Sequence, residues 1–153
     1  MQKIASFQIN HDTLEKGMYI SRIDGDVITY DIRMKKPNGG DYLHMSAAHT
    51  LEHLLATYLR NSGIGKNVIY VGPMGCRTGF YILLRDCVSY AQAIESVRAA
   101  MAFARDFTGE IPGNKREECG NYLDHDLLGA KKEAAQMFDV LKNWKEKDLE
   151  YKL

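Results

Sequence analysis

Between Asp26 and Met34 apolar and polar side chains change places at every step: Ile28, Tyr30, Ile32 and Met34 fall on one side, Val27, Thr29, Asp31 and Arg33 on the other. Alternation of this kind marks a half-buried strand, and Asp24-Gly25 ahead of it supplies a turn. Lys36-Pro37-Asn38-Gly39-Gly40 then breaks the chain before Ser46, a candidate N-cap for a helix through Ala48, Leu51, Leu55 and Leu59 that ends at Gly63. Two further strand-like runs, Asn67 to Gly72 and Gly79 to Leu84, flank the tight Pro73-Met74-Gly75-Cys76 stretch and can pair as a hairpin. Ser89 and Gln92 form a capping-box pattern ahead of a helix carrying Ala91, Ile94, Val97, Met101 and Ala104. After the loop Gly109 to Gly120 a last helix runs through Leu127, Leu128, Ala134, Ala135, Phe138 and Leu141. Strands and helices come in clusters rather than in strict β-α-β alternation. The pattern therefore predicts an α+β fold: a two-layer sandwich with a mostly antiparallel sheet and helices packed on one face.

Composition narrows the function classes. The 153 residues carry 20 Lys+Arg against 20 Asp+Glu, and 45% are hydrophobic, as expected of one soluble globular domain. A chain of this size buries roughly 70% of the surface its unfolded form exposes, so it needs no disulfide or metal to complete a core. A metal here would be functional rather than a fold-maker. Zero formal charge gives no long-range field to gather phosphates, which argues against nucleic acid as a partner. Met1 to Asn10 lacks the basic head and apolar run of a signal peptide, and no stretch approaches the roughly 18 apolar residues needed to span a bilayer. A cytoplasmic protein with no membrane partner is expected. Its three cysteines, an odd number in a reducing compartment, pose the question of reactivity or metal binding.

The strongest local signal is His49-Thr50-Leu51-Glu52-His53. A helix sets residues four apart on one face, so both imidazoles can hold one metal ion. Glu52 can reach the ion's open side as an acid or base rather than a ligand. Two imidazoles need a third protein ligand, and the candidates are Cys76, Cys87, Cys119, His11, His44, His125 and several acids. Cys119 is the best of these: it precedes Gly120 in a loop just before a helix, where the backbone can approach closely and an accessible thiol can ionise. Cys76 lies in Gly72-Pro73-Met74-Gly75-Cys76-Arg77-Thr78-Gly79, a bend that can hold its thiol strained and accessible beside a cation. Cys87, with no glycine or histidine near it, reads as a packing residue.

These residues together resemble the S-ribosylhomocysteine lyase (LuxS) family of quorum-sensing enzymes. The resemblance runs nearly end to end, through Ser6-Phe7, His11, Tyr30-Asp31-Ile32-Arg33, Pro37-Asn38, His49-Thr50-Leu51-Glu52-His53, Arg60-Asn61, Pro73 to Tyr81, and Cys119-Gly120. It implies a single catalytic domain over 1–153, with His49, His53 and Cys119 as ligands of one ferrous iron (Fe2+) per subunit, replaceable by zinc or cobalt. It further implies Cys76 and Glu52 as the acid/base pair, and Ser6, His11 and Arg33 as residues lining the substrate pocket. The family enzyme is a homodimer with active sites at the subunit interface, where the amino-terminal segment of one chain helps close the other's site. Its reaction cleaves the thioether of S-ribosylhomocysteine, giving homocysteine and 4,5-dihydroxy-2,3-pentanedione, the precursor of autoinducer-2.

One departure touches the site. Many members carry an aspartate six positions before the catalytic cysteine, where this chain has Tyr70. Two rivals from other classes remain: an inverted-zincin metallopeptidase, which shares only H-x-x-E-H, and a non-enzymatic domain whose metal is structural and closed by four protein ligands.

Overall fold

The computed structural model describes residues 1–152. In chain order the elements are α1 (Ala5–Gln8), β1 (Gly17–Asp24), β2 (Val27–Arg33), α2 (Met45–Asn61), β3 (Val68–Pro73), β4 (Gly79–Arg85), α3 (Tyr90–Asp106) and α4 (Leu127–Leu141), with short 3-10 turns at Gly65–Asn67 and Glu146–Leu149. The strands make one sheet in the order β1-β2-β4-β3, and every neighbouring pair is antiparallel. Helices α2, α3 and α4 pack on one another and on one face of this sheet, which is the α+β two-layer arrangement expected.

Alternation along the strands decides which face is covered. Ile28, Tyr30 and Ile32 of β2 and Phe80, Ile82 and Leu84 of β4 point beneath the helices and meet Leu51, Leu55 and Leu59 of α2. Burying a side chain of this size contributes roughly 1.5–3 kcal/mol each. The same turns of α2 then present His49, Glu52 and His53 away from the core, because apolar positions three and four apart use up one stripe only. On the sheet's other face Tyr19, Asp31 and Tyr81 lie side by side in register, and Ala5 and Ser6 of α1 line a cleft there with Ser21, Thr29 and Leu83.

Three details differ from the sequence reading. Strand β1 was not expected, because its register shifts between Ile20 and Arg22 and the bulge breaks the period of two. Helix α2 begins at Met45 with His44 as its N-cap, ahead of Ser46, and ends before Gly63, with Ser62 donating N–H and hydroxyl to the Leu59 carbonyl. Its start is set from a distance: Leu43 is fully buried and its N–H donates to the Arg77 carbonyl at 2.9 Å. Cys87 does not pack; it is exposed in the turn after β4. The Ser89–Gln92 capping box is formed as predicted, with both reciprocal bonds present.

After α4 the chain returns to the sheet. Leu149 is buried, Trp144 donates its indole N–H to the Met18 carbonyl at 2.9 Å, and Tyr151 stacks on Tyr19 with ring centroids 5.0 Å apart. The carboxy-terminal segment thereby covers part of the face that the helices leave open.

Candidate metal centre and thiol cleft

His49 and His53 stand one helical turn apart with ring centroids 4.7 Å apart. Each Nδ1 faces a main-chain carbonyl at 2.7 Å, His49 that of Asp124 and His53 that of Pro112. A carbonyl only accepts, so each Nδ1 carries the hydrogen and each Nε2 keeps its lone pair free. Those Nε2 atoms lie 3.4 and 4.0 Å from Cys119 Sγ. Cys119 is half-buried and delivered by a turn in which its N–H donates to the Lys115 carbonyl at 3.0 Å. The loop must pass close to α2 to bring Pro112 to His53. Gly113 allows this: its φ is +71°, and a Cβ there would sit 3.1 Å from His53 Nδ1.

A fourth donor joins them. His49, His53, Cys119 and His125 place their ligand atoms within 4.8 Å of one another. The His125 ring stacks on His49 at 4.0 Å. Thr50 lies beneath it, its hydroxyl donating to the Ser46 carbonyl at 3.1 Å and accepting from the Asp126 N–H at 2.9 Å. With the Thr50 hydrogen so used, His125 Nδ1, 2.9 Å away, is the donor of that contact. His125 Nε2 is left buried without a hydrogen-bond partner among the described residues. Burial, and then the neighbouring His49 and His53, push its pKa below the ordinary histidine value, which favours the neutral ligand form. Sequence reasoning had His125 among the ligand candidates but no reason to choose it; its approach depends on where α4 begins, at the Asp126 N-cap.

Glu52 is half-buried and lines a cleft of about 490 Å³ with His49, Met74, Gly75 and Arg77. Met74 and Gly75 also border a second cleft, of about 460 Å³, lined by Ser6, His11, Arg33 and Cys76. The structure thus gathers the three expected substrate-pocket residues around Cys76 and sets Glu52 beside the imidazoles, with the β3–β4 bend between them. Cys76 is exposed, as its accessible position in the bend suggested. The strain lies one residue on: Arg77 has φ +61°, while Gly75 and Gly79 do not use positive φ. Gly79 is required for another reason, since a Cβ there would sit 2.0 Å from the Ile32 carbonyl oxygen of β2.

Cys76 Sγ lies 3.0 Å from the Thr78 hydroxyl, which accepts from Arg33 NH1 at 2.7 Å. Arg33 is 2% exposed and forks onto Asp31 through Nε at 3.1 Å and NH2 at 2.6 Å. Burial works against the guanidinium charge, but the Asp31 hydrogen bonds and charge, with Cys76 adding to them, outweigh it and hold the Arg33 pKa above its ordinary value. Tyr151 donates its hydroxyl to Asp31 Oδ2 at 2.7 Å. Burial, and then the Asp31 charge, push the Tyr151 pKa upward. Asp31, Thr78 and Tyr151 were not singled out from sequence, although opposite charges two apart on one strand face, Asp31 and Arg33, were a readable sign of a pair. Tyr70 is 53% exposed and lines the cleft beside α1 rather than the one at Cys76.

The model of the family described as S-ribosylhomocysteinase (LuxS) matches residues 4–148. The chain is 45% identical over 157 aligned residues to the S-ribosylhomocysteine lyase of Desulfotalea psychrophila, covering 99% of both chains. It is 44% identical to that of Clostridium acetobutylicum and 42% to that of Borrelia garinii, again over 99% of each chain.

Proposed function

Since this chain belongs to the S-ribosylhomocysteinase (LuxS) family, we propose that it is an S-ribosylhomocysteine lyase that releases homocysteine and 4,5-dihydroxy-2,3-pentanedione. The observation that carries the reading is the convergence of imidazole nitrogens and a thiol beside the cleft that holds Glu52, in a chain matched to the family over residues 4–148.

The donor set fits a divalent transition metal. Two Nε2 lone pairs are freed by carbonyls on the opposite ring nitrogens and face one sulfur, a mixed nitrogen and thiolate set suited to iron, zinc or cobalt. His49, His53 and Cys119 would hold the ion, ferrous iron in our reading. When bound, it supplies Lewis acidity toward the substrate's carbonyl and hydroxyl oxygens.

The thioether of S-ribosylhomocysteine has no acidic neighbour, so the carbonyl must migrate from the first carbon to the third before sulfur can leave. Each migration takes a proton from the carbon that becomes the carbonyl and returns it to the neighbouring carbon that carried the carbonyl before. Cys76, accessible at the bend, is the group for these carbon protons, because a thiolate is a competent base near neutral pH. Glu52 moves protons between the oxygens and takes the proton on the fourth carbon in the final step. Sulfur on the fifth carbon then leaves β to the carbonyl as homocysteine. Ser6, His11 and Arg33 border the Cys76 cleft and would bind the substrate's polar groups.

The structural-metal alternative has one observation in its favour, the fourth donor His125. Against it, the relatives matched over nearly the whole chain are named as lyases, and a catalytic site needs a coordination position open to substrate. Homodimerisation, with the amino-terminal segment closing the partner's site, is supported by the exposure of Ile4, Phe7 and Tyr70. A cytoplasmic location accords with the absence, among the described residues, of any helix long and apolar enough to cross a membrane.

The test is incubation of anaerobically purified protein with S-ribosylhomocysteine while free thiol is followed. Wild type releases homocysteine, whereas Cys76→Ala and Glu52→Gln keep their metal and lose activity by about 10²–10⁴-fold. Cys119→Ala loses the metal. Substantial release by either acid/base variant removes that residue's role, and no release by the metal-loaded wild type removes the function.

A further inference from the structure

The lyase reading gives Cys76 a task but does not explain what prepares its sulfur. One arrangement of the hydrogens around it would do so, with the Thr78 hydroxyl as donor to the sulfur. Arg33 has no acceptor atom, so its NH1 must be the donor to the Thr78 oxygen at 2.7 Å. The Thr78 hydroxyl hydrogen is therefore free for the remaining contact, the one with Cys76 Sγ at 3.0 Å. Thr78 is 3% exposed, so water does not compete readily for that hydrogen. A hydroxyl that donates to sulfur favours the thiolate over the thiol, and the cation behind it strengthens the donor.

This orientation holds only while Arg33 keeps its place, and Arg33 is held by Asp31, which is fully buried. Asp31 Oδ2 accepts from both Arg33 NH2 and the Tyr151 hydroxyl. Tyr151 is 120 residues from Asp31 along the chain and reaches it because the carboxy-terminal segment folds back and its ring stacks on Tyr19. We propose that Thr78 is the hydrogen-bond donor that holds Cys76 ready as a base, and that Tyr151 is a remote positioning residue acting on Cys76 through Asp31, Arg33 and Thr78. The proposal rests on the lyase reading for its purpose, since Cys76 needs to be a base only if it moves carbon protons.

Its test reads the thiol directly. The metal-loaded protein carrying Cys87→Ser is treated with iodoacetamide across a range of pH, and labelling of Cys76 is followed by peptide mass. Thr78→Val slows alkylation at pH 7 about tenfold and moves the rate profile to higher pH, Tyr151→Phe does so about threefold, and Thr78→Ser restores the wild-type profile. Homocysteine release falls in kcat by similar factors with KM little changed. Tyr151→Phe keeps the ring that stacks on Tyr19 and loses only a hydroxyl, so it carries the test even where Thr78→Val fails to fold. Wild-type alkylation by Tyr151→Phe at every pH overturns the role of Tyr151, and wild-type alkylation by folded Thr78→Val overturns that of Thr78. Should alkylation respond as expected while the wild type releases no homocysteine, the lyase reading fails and the relay stands.

Discussion

The imidazole cluster and the Cys76 bend lie on either side of Met74 and Gly75, yet they are held in place by different kinds of partner. His49 and His53 give their Nδ1 hydrogens to the main-chain carbonyls of Asp124 and Pro112. Cys76 depends on side chains, a line running through Thr78, Arg33 and Asp31 to Tyr151. A carbonyl acceptor keeps its dipole at every pH and cannot be removed by substitution, so the cluster's orientation depends on the path of the loops. The bend is held by a buried ion pair, in which loss of either partner strands a charge. The cluster should therefore be sensitive to backbone changes, and the bend to single side chains.

The sharpest way to break this contrast is Asp31→Ala. Both partners of the pair are nearly inaccessible, with side-chain exposures of 3% for Arg33 and 1% for Asp31, and leaving Arg33 uncompensated costs about 3–5 kcal/mol. Urea denaturation should record that loss, while the metal content of the folded fraction stays at the wild-type level. A simultaneous loss of metal from the folded fraction would mean that the two regions are not separately held. Next in size is Gly113→Ala, a backbone change on the metal side. The positive φ and the 3.1 Å approach to His53 together cost about 1–3 kcal/mol, and the displaced Pro112 carbonyl lowers metal affinity by about tenfold in a chelator competition. Iodoacetamide labelling of Cys76 should be unaffected. Smaller again is Ser89→Ala at the cap of α3, remote from both regions. It costs about 1 kcal/mol and leaves both metal affinity and thiol reactivity alone, so a response of either would show that the readouts follow global stability.

The same contrast governs what could be read from sequence. His49, Glu52 and His53 fall within about one turn of a single helix, so their shared face follows from helix geometry alone. The β2 alternation and the Ser89–Gln92 box are local in the same sense. The bend's network is not local: Thr78 and Arg33 are 45 residues apart and Tyr151 and Asp31 are 120 apart, so no pattern along the chain brings them together. His125 was visible as a candidate but is oriented at the cluster by the Thr50 hydroxyl, 75 residues away, and by stacking on His49. Strand β1 escaped notice because its bulge near Ser21 disrupts the alternation that betrayed β2. Cys87, assigned to packing for want of reactive neighbours, is exposed, since a lack of neighbours in sequence says nothing about burial.

The smallest effect concerns the seam between the two regions. Two residues after Arg33, the buried Lys35 side chain reaches Glu133 of α4 at 2.9 Å and Asp41 at 3.1 Å, tying the end of β2 to the helix that follows His125. Burial alone would lower the Lys35 pKa, but its hydrogen bonds and charge interactions with Glu133 and Asp41 outweigh that and hold it above the ordinary 10.5. The hydrogen bond and charge of Lys35 in turn hold Asp41 below the ordinary 3.8. A carboxylate with a lowered folded pKa adds stability that is present above its unfolded value and disappears as pH falls through the lowered one. An ammonium with a raised folded pKa adds stability that is complete below 10.5 and disappears as pH rises through the raised value. Calorimetric melting of wild type and Asp41→Asn should therefore differ on a plateau between these limits and converge beyond each of them. Asp41 is solvent-exposed, so the plateau gap is no more than about 3 °C and narrows further in high salt. A gap that persisted after the pH had fallen through the lowered Asp41 pKa would assign the effect to the amide's own contacts instead of the lost ion pair.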